Sequence, residues 1–185
     1  MAVNHASLTD PEIHEPKGIT SANAGDVYIA DGSGSGEWKQ GHFFFGGFIG
    51  YNSSSPYALS VGTSDTIINP TFTVADNFGF SGVTTPNARI IYDGNGSIHI
   101  AIDFIASVRQ TSGGSKDLEL VLLKNGTPLA GSRQITTIPN NVWQTISIHF
   151  NDLIDENDFF EVAAKVDTAT TVNFANGYLR ILGTP

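Results

Sequence analysis

Between residues 98 and 109 the chain alternates: Ile98, Ile100, Ile102, Phe104, Ala106 and Val108 fall on one side, and His99, Asp103, Ser107 and Arg109 on the other. A period of two is that of a half-buried β-strand. Residues 158–166 repeat it, with Phe160, Val162, Ala164 and Val166 opposed by Glu161 and Lys165. After the turn Asp167-Thr168-Ala169-Thr170 a last strand starts with Val172 and Phe174 on even positions, whereas Leu179 and Ile181 are odd. A bulge at Asn176-Gly177 would insert the residue that returns the aliphatic side chains to one face, leaving Tyr178 and Arg180 outward.

The remaining segments extend the pattern. Residues 118–124 are apolar on both faces and end at Asn125-Gly126, a type I′ hairpin signal, so they should pair with a strand inside residues 129–138. Residues 142–150 place Val142, Ile146, Ile148 and Phe150 inward, opposite Trp143, Thr145 and His149, and lead to an acidic loop at 151–157. Residues 66–75, interrupted by Pro70, read as an edge or the start of a strand, and 88–92 as a strand ending at Asp93-Gly94-Asn95-Gly96. With the aromatic run at 42–51, this makes roughly eight to ten strands at sandwich spacing. The fold class is therefore all-β, a β-sandwich over residues 42–185.

Residues 1–41 differ. They contain Pro11, Pro16 and the run Gly32-Ser33-Gly34-Ser35-Gly36, with few regularly spaced apolar positions. One short strand within residues 25–32 and an isolated Trp38 are expected in an otherwise extended arm, which has too little apolar surface to order without a partner.

Composition narrows the chemistry. Of 185 residues 18 are Asp or Glu and 9 Lys or Arg, a formal charge of −9 that argues against nucleic acid as a partner. No apolar run reaches the ~20 residues of a membrane helix, and the first residues lack the apolar core of a secretory signal, so neither a membrane nor export is expected. Without cysteine there is no thiolate ligand or nucleophile, and folding in a reducing cytoplasm is permitted. The five histidines show no metal-ligand spacing, and Asp93-Gly94-Asn95-Gly96 is no calcium loop because its closing ligand position is Phe104. Asp152, Asp155, Glu156 and Asp158 would be the calcium alternative; the adopted reading is a solvated acidic loop with no metal and no cofactor. No nucleophile elbow or phosphate loop is present, and the chain is expected not to be an enzyme.

Apolar side chains are in surplus. Phe43, Phe44 and Phe45 in succession, the two-faced segment 118–123, and Tyr178 opposite Leu179 put apolar groups on outer faces that need a cover. The N-terminal arm is one candidate; a subunit interface is the favoured one.

Two stretches carry a resemblance. The segment His5-Ala6-Ser7-Leu8-Thr9-Asp10-Pro11-Glu12-Ile13-His14-Glu15-Pro16, with Gly25-Asp26-Val27-Tyr28-Ile29-Ala30-Asp31-Gly32-Ser33-Gly34-Ser35-Gly36-Glu37-Trp38, resembles segments of tailed-bacteriophage virion proteins: head fibres, capsid decoration proteins and tail fibres. The segments Phe159-Phe160-Glu161-Val162 and Gly177-Tyr178-Leu179-Arg180-Ile181 are similar to the jelly-roll head of the C1q and tumour-necrosis-factor type. The resemblance implies a jelly roll forming homotrimers, with Phe43, Phe45, Tyr178 and Arg180 as trimer-interface candidates. It also implies a capsid decoration, cement or head-fibre protein, on the capsid surface in preference to the tail. Leu8, Pro11, Ile13, His14, Pro16 and Trp38 would then anchor the arm to the major capsid protein or another virion protein. The alternative is a tail-fibre or receptor-binding tip that presents Trp143, Tyr92 or Tyr57 to a host surface glycan.

Overall fold

The computed structural model describes residues 26–30, 36–40, 44–49, 56–70, 73–74, 79–83, 87–94 and 96–184. The chain divides into two compact units, Met1–His42 and Phe43–Pro185. In the first, β1 (Asp26–Ala30) pairs antiparallel with β2 (Gly36–Gln40), and Tyr28 lies in register with Trp38. The two rings meet edge-on with centroids 5.4 Å apart. Trp38 is thus not isolated as the sequence suggested. The alternation of 36–40 is too short to stand out from the Gly/Ser run before it, which up to Ser35 lies outside the described residues.

The second unit is a jelly-roll sandwich whose chain passes repeatedly from sheet to sheet. One sheet holds β3 (Phe44–Ile49), β4 (Tyr57–Val61), β6 (Thr73–Val74), β9 (Ile98–Gln110), β13 (Gln144–Ile154) and β15 (Thr170–Thr184). The other holds β5 (Thr66–Ile67), β7 (Phe80–Val83), β8 (Arg89–Tyr92), β10 (Lys116–Lys124), β11 (Thr127–Pro128), β12 (Gln134–Ile138) and β14 (Phe159–Val166). All ladders named here are antiparallel. Pro70, buried between β5 and β6, marks where the expected strand of 66–75 breaks and its two short halves join different sheets.

The core lies where the period-two pattern put it. Ile100, Ile102, Phe104 and Val108 of β9, with Phe174 and Ile181 of β15 beside them in the same sheet, pack in one core with Leu118, Leu120 and Leu122 of β10 and Phe160 and Val162 of β14 from the other sheet, each at most 3% exposed. Burying one such side chain contributes about 1.5–3 kcal/mol. The register of β15 against β9 shifts between Ala175 and Tyr178, so the expected bulge is present, with Asn176 at φ 51°. It divides the strand's partners: Thr170–Phe174 pairs with β4 and Tyr178–Gly183 with β3.

The hairpin after β10 also forms, with Asn125 and Gly126 at φ 52° and 75°. Its return strand is split, because a 3-10 turn at Ala130–Ser132 separates β11 from β12. The fully buried Ser132 hydroxyl accepts the Leu122 N–H at 2.9 Å and donates to the Leu129 carbonyl at 2.8 Å, carrying the ladder across the gap. Gln110, also fully buried, ends β9: its Nε2 donates to the Gly114 carbonyl at 2.9 Å and its Oε1 accepts the Ser112 N–H at 2.8 Å.

Three expectations need correction. Strand β13 begins at Gln144 and runs to Ile154, so Val142 is outside it and 46% exposed, and Asn151 and Asp152 belong to a strand rather than a loop. The outer face of β14 is not solvated: Glu161 is 2% exposed and accepts the Asn87 amide at 3.1 Å. Finally, Val121, Leu123 and Ala163 form a second buried cluster with Ile67 against it, so the two-faced apolar segment is covered by its own chain and needs no second subunit.

Candidate functional site

The outer face of the sheet β13-β9-β15 is assembled by register. Ser147, Ile105 and Tyr178 form one row, His149, Asp103 and Arg180 the next, Asn151, Ala101 and Leu182 the third, with Leu153 opposite His99 beyond them. Tyr178 and Ile105 are half-buried, while Leu182 and Leu153 are 45% and 48% exposed. Alternation forces this outcome: the inner positions of the same strands take the aliphatic side chains, so these odd or bulge-shifted positions point away from the core.

The central row is an ionic relay across three strands. Arg180 Nη2 donates to Asp103 Oδ2 at 2.5 Å, and His149 Nδ1 lies 2.6 Å from Asp103 Oδ1. The Arg180 guanidinium holds the Asp103 carboxyl below the usual range; partial burial opposes this and His149 adds to it. The same contact pushes Arg180 up. Toward the far end of the face Arg109 lies over the Trp143 ring, 4.6 Å from its centroid. Among the outward positions of β9, β13 and β15 described here, Asp103 is the one carboxylate, in a chain with 18 Asp and Glu.

Of the interface candidates, Tyr178 and Arg180 are therefore on this face, in adjacent rows. Phe45 pairs in register with Leu182, which continues the third row onto β3, and Phe43 lies outside the described residues. Among the anchoring candidates Trp38 is half-buried on β2, and Leu8, Pro11, Ile13, His14 and Pro16 lie outside the described residues. Asp103, His149, Leu153 and Leu182 were missed as members of the face. The outward phase of 99–109 was visible, but no local signal says which strands flank it.

The acidic segment at 152–158 is organised around a cation it already has. Lys124 Nζ is 3.3 Å from Asp152, 3.1 Å from Asp158 and 2.6 Å from the Leu153 carbonyl. Burial alone would lower the Lys124 pKa, but hydrogen bonding to Asp158 and the two carboxylate charges raise it. Asp158 also accepts the Asn125 amide at 2.5 Å and the Asp155 N–H at 2.9 Å, so its carboxyl titrates low despite the opposing effect of burial. Among the described residues no group of three or more His, Cys, Asp and Glu is arranged to hold a metal.

On the opposite sheet a shallow depression of about 310 Å³ is lined by Thr63, Asp117, Glu119, Ile135, Lys165 and Asp167. Lys165 pairs with Glu119 at 3.1 Å, and Arg133 bridges Glu119 and Asp65. Of the three aromatic residues suggested as alternatives for a glycan contact, Tyr92 is buried and the other two are partly exposed. Tyr92 is fully buried against Phe80, Tyr57 is half-buried beside Phe174, and Trp143 is half-buried with Arg109 over its ring. Among the described residues no helix is long and apolar enough to cross a membrane.

No protein-family model and no curated protein matches the chain. Solved structures do. Eiger TNF from S. frugiperda superposes with a TM-score of 0.54 at 9% identity, over 78% of this chain and 94% of that one. Murine APRIL gives 0.46 at 9% identity over 76% and 98%, and the PRD1 vertex protein P5 gives 0.44 at 14% over 78% and 97%. The likeness to Eiger is one of fold: this chain carries a TNF-like jelly roll.

Proposed function

We propose that the chain is a virion structural protein of a tailed bacteriophage, a homotrimeric jelly-roll knob on the capsid surface with its N-terminal segment bound to the shell. One combination carries the reading: a TNF-like jelly roll follows a segment, within residues 5–38, that resembles phage virion proteins. The mechanism is adhesion without catalysis. Three N-terminal segments held together by one trimer of knobs bind the major capsid protein or another virion protein at high effective concentration, so that weak single contacts add up.

The subunits meet on the outer face of β13-β9-β15. A closed ring of three needs a contact between unlike patches repeated around the axis. In a chain of net charge −9, copies approach with least repulsion where carboxylates are nearly absent. This face has its lone Asp103 neutralised by Arg180, and Ile105, Tyr178, Leu153 and Leu182 supply apolar area around the pair.

Antibody against this chain, applied to intact virions and located by electron microscopy, tests the assignment. Label spread over heads is the expected result. Label confined to the tail transfers the reading to a receptor-binding tip, and unlabelled particles overturn a virion role.

A further inference from the structure

We propose that Arg109 and Trp143 form a binding site for a sugar that carries a carboxylate, as at the acidic end of a glycan. Strand β9 delivers Arg109 next to its last residue, and the turn before β13 delivers the ring. Asn141, at φ 57°, donates its N–H to the Gln110 carbonyl at 2.9 Å and brings the residues after it back along β9. The guanidinium then lies 4.6 Å from the Trp143 centroid. An arginine stacked on an indole is held in place while its charge stays available. Its Nε is buried without a hydrogen-bond partner, so the two Nη nitrogens of this half-buried side chain are the edge left to a ligand. A carboxylate takes two parallel N–H bonds from such an edge.

Two features set Arg109 apart. Lys124, Arg133, Lys165 and Arg180 each have a carboxylate partner, whereas Arg109 has none among the described residues, in a chain with 18 acidic and 9 basic side chains. Its cross-strand neighbours are neutral hydrogen-bonding groups: Asn173 of β15 stands in register with it, and Ser107 with Thr145 in the next row. Residues directly opposite in a ladder share a face. Arg89 also stacks on a ring, that of Phe159 at 4.6 Å, but the pairing of Ile90 with Phe160 sets Glu161 beside it. One cation flanked by an amide and hydroxyls fits one carboxylate on a body rich in hydroxyls. A polyanion would meet a molecule of charge −9 and needs more than one positive group to hold it. The site lies about 13 Å along β9 from Ile105, beyond the rows assigned to the subunit contact, and does not depend on that contact.

The test is a nuclear magnetic resonance titration of the isotope-labelled full-length chain, followed through the Trp143 indole N–H signal, which its loss in Trp143→Phe identifies. The probes are the methyl glycosides of glucuronic acid and of N-acetylneuraminic acid, methyl glucoside as a ring without the carboxylate, and acetate as a carboxylate without the ring. The expected result is a saturable shift with an acidic sugar at a dissociation constant of about 1–10 mM, and binding of glucoside and acetate at least about tenfold weaker. Arg109→Gln should weaken the acidic sugar about tenfold, and Arg89→Gln by less than about twofold. The comparison of probes needs only the wild-type chain, so it decides the matter whether or not Arg109→Gln folds. No saturable shift below about 50 mM with either acidic sugar overturns the site. Acetate binding as tightly as the acidic sugar overturns sugar recognition, and glucoside binding as tightly overturns the role of the carboxylate. An equal loss in Arg89→Gln and Arg109→Gln overturns the assignment to Arg109.

Discussion

Replacing Gly94 by alanine should destabilise the sandwich through one identifiable collision. A Cβ at this position would lie 2.5 Å from Tyr92 Cε2 and Oη and 2.6 Å from Cζ, where unstrained heavy-atom contacts need about 3.5–4.0 Å. The ring cannot swing away. Tyr92 is fully buried, its centroid 5.3 Å from that of Phe80, and its backbone is pinned by Tyr92 N–H to the Asp158 carbonyl and Asn157 N–H to the Tyr92 carbonyl, both at 2.9 Å. Relief requires the ring to leave its packed position or the turn to shift, and overpacking of this kind costs about 1–3 kcal/mol. For a chain of this size that lowers the melting temperature by about 2–12 °C. Gly62 is the internal control, since nothing lies within 4 Å of its built Cβ, and Gly62→Ala should stay within about 0.5 kcal/mol of wild type. Thermal melts followed by circular dichroism decide the matter. Equal melting of Gly94→Ala and wild type, or an equal loss in Gly62→Ala, would refute the reasoning.

Asn176 holds the bulge of β15 in the left-handed region, so Asn176→Val should cost about 1–2 kcal/mol while Asn176→Gly is tolerated, measured as urea midpoints at constant slope. Lys124→Met leaves Asp152 and Asp158 facing each other without their ammonium and removes the bond to the Leu153 carbonyl; a loss of about 1–2 kcal/mol is expected in the same assay. Asp103 and Asp158 both titrate low in the folded chain, so the stability they contribute is complete above the unfolded carboxylate value near ~3.9 and is lost as pH falls through their lower folded values. Urea midpoints should accordingly drop below about pH 4, and Asp158→Asn should flatten that limb; an unchanged acid limb in the variant would count against the assignment.

What the chain revealed in advance was whatever its neighbours in sequence decide. Alternation exposed the inward phase of β9, the parity change placed the bulge at Asn176, and Asn125-Gly126 marked the turn, since each depends on backbone preferences over a few residues. The face of β13-β9-β15 was half legible. Tyr178 and Arg180 pointed outward by parity, but the carboxylate that meets Arg180 is 77 positions away, and only strand order brings Asp103 between Arg180 and His149. Polar residues hid the end of β13 because Asn151 and Asp152 look like loop; Asp152 stays in the strand through its ladder with Ile100 of β9, and Lys124 of the other sheet supplies its counter-charge. The apolar outer face of β10 was misassigned to a subunit contact because burial by Ile67 and its surroundings is a property of the folded chain, invisible to periodicity.

The buried Gln110 gives the segment 111–115 its form from outside that segment. A side chain at the end of a strand grips Ser112 N–H and the Gly114 carbonyl, and Gly113 takes φ 77°, while all five loop residues are exposed. Apart from Gly113, which the turn requires, and Ser112, whose hydroxyl lies 3.0 Å from that of Thr170, no loop side chain is used in holding this shape among the contacts described. An engineer grafting a peptide could vary Thr111, Gly114 and Ser115 while Gln110, Ser112 and Gly113 stay, changing what this end of the sandwich presents without changing how it is built.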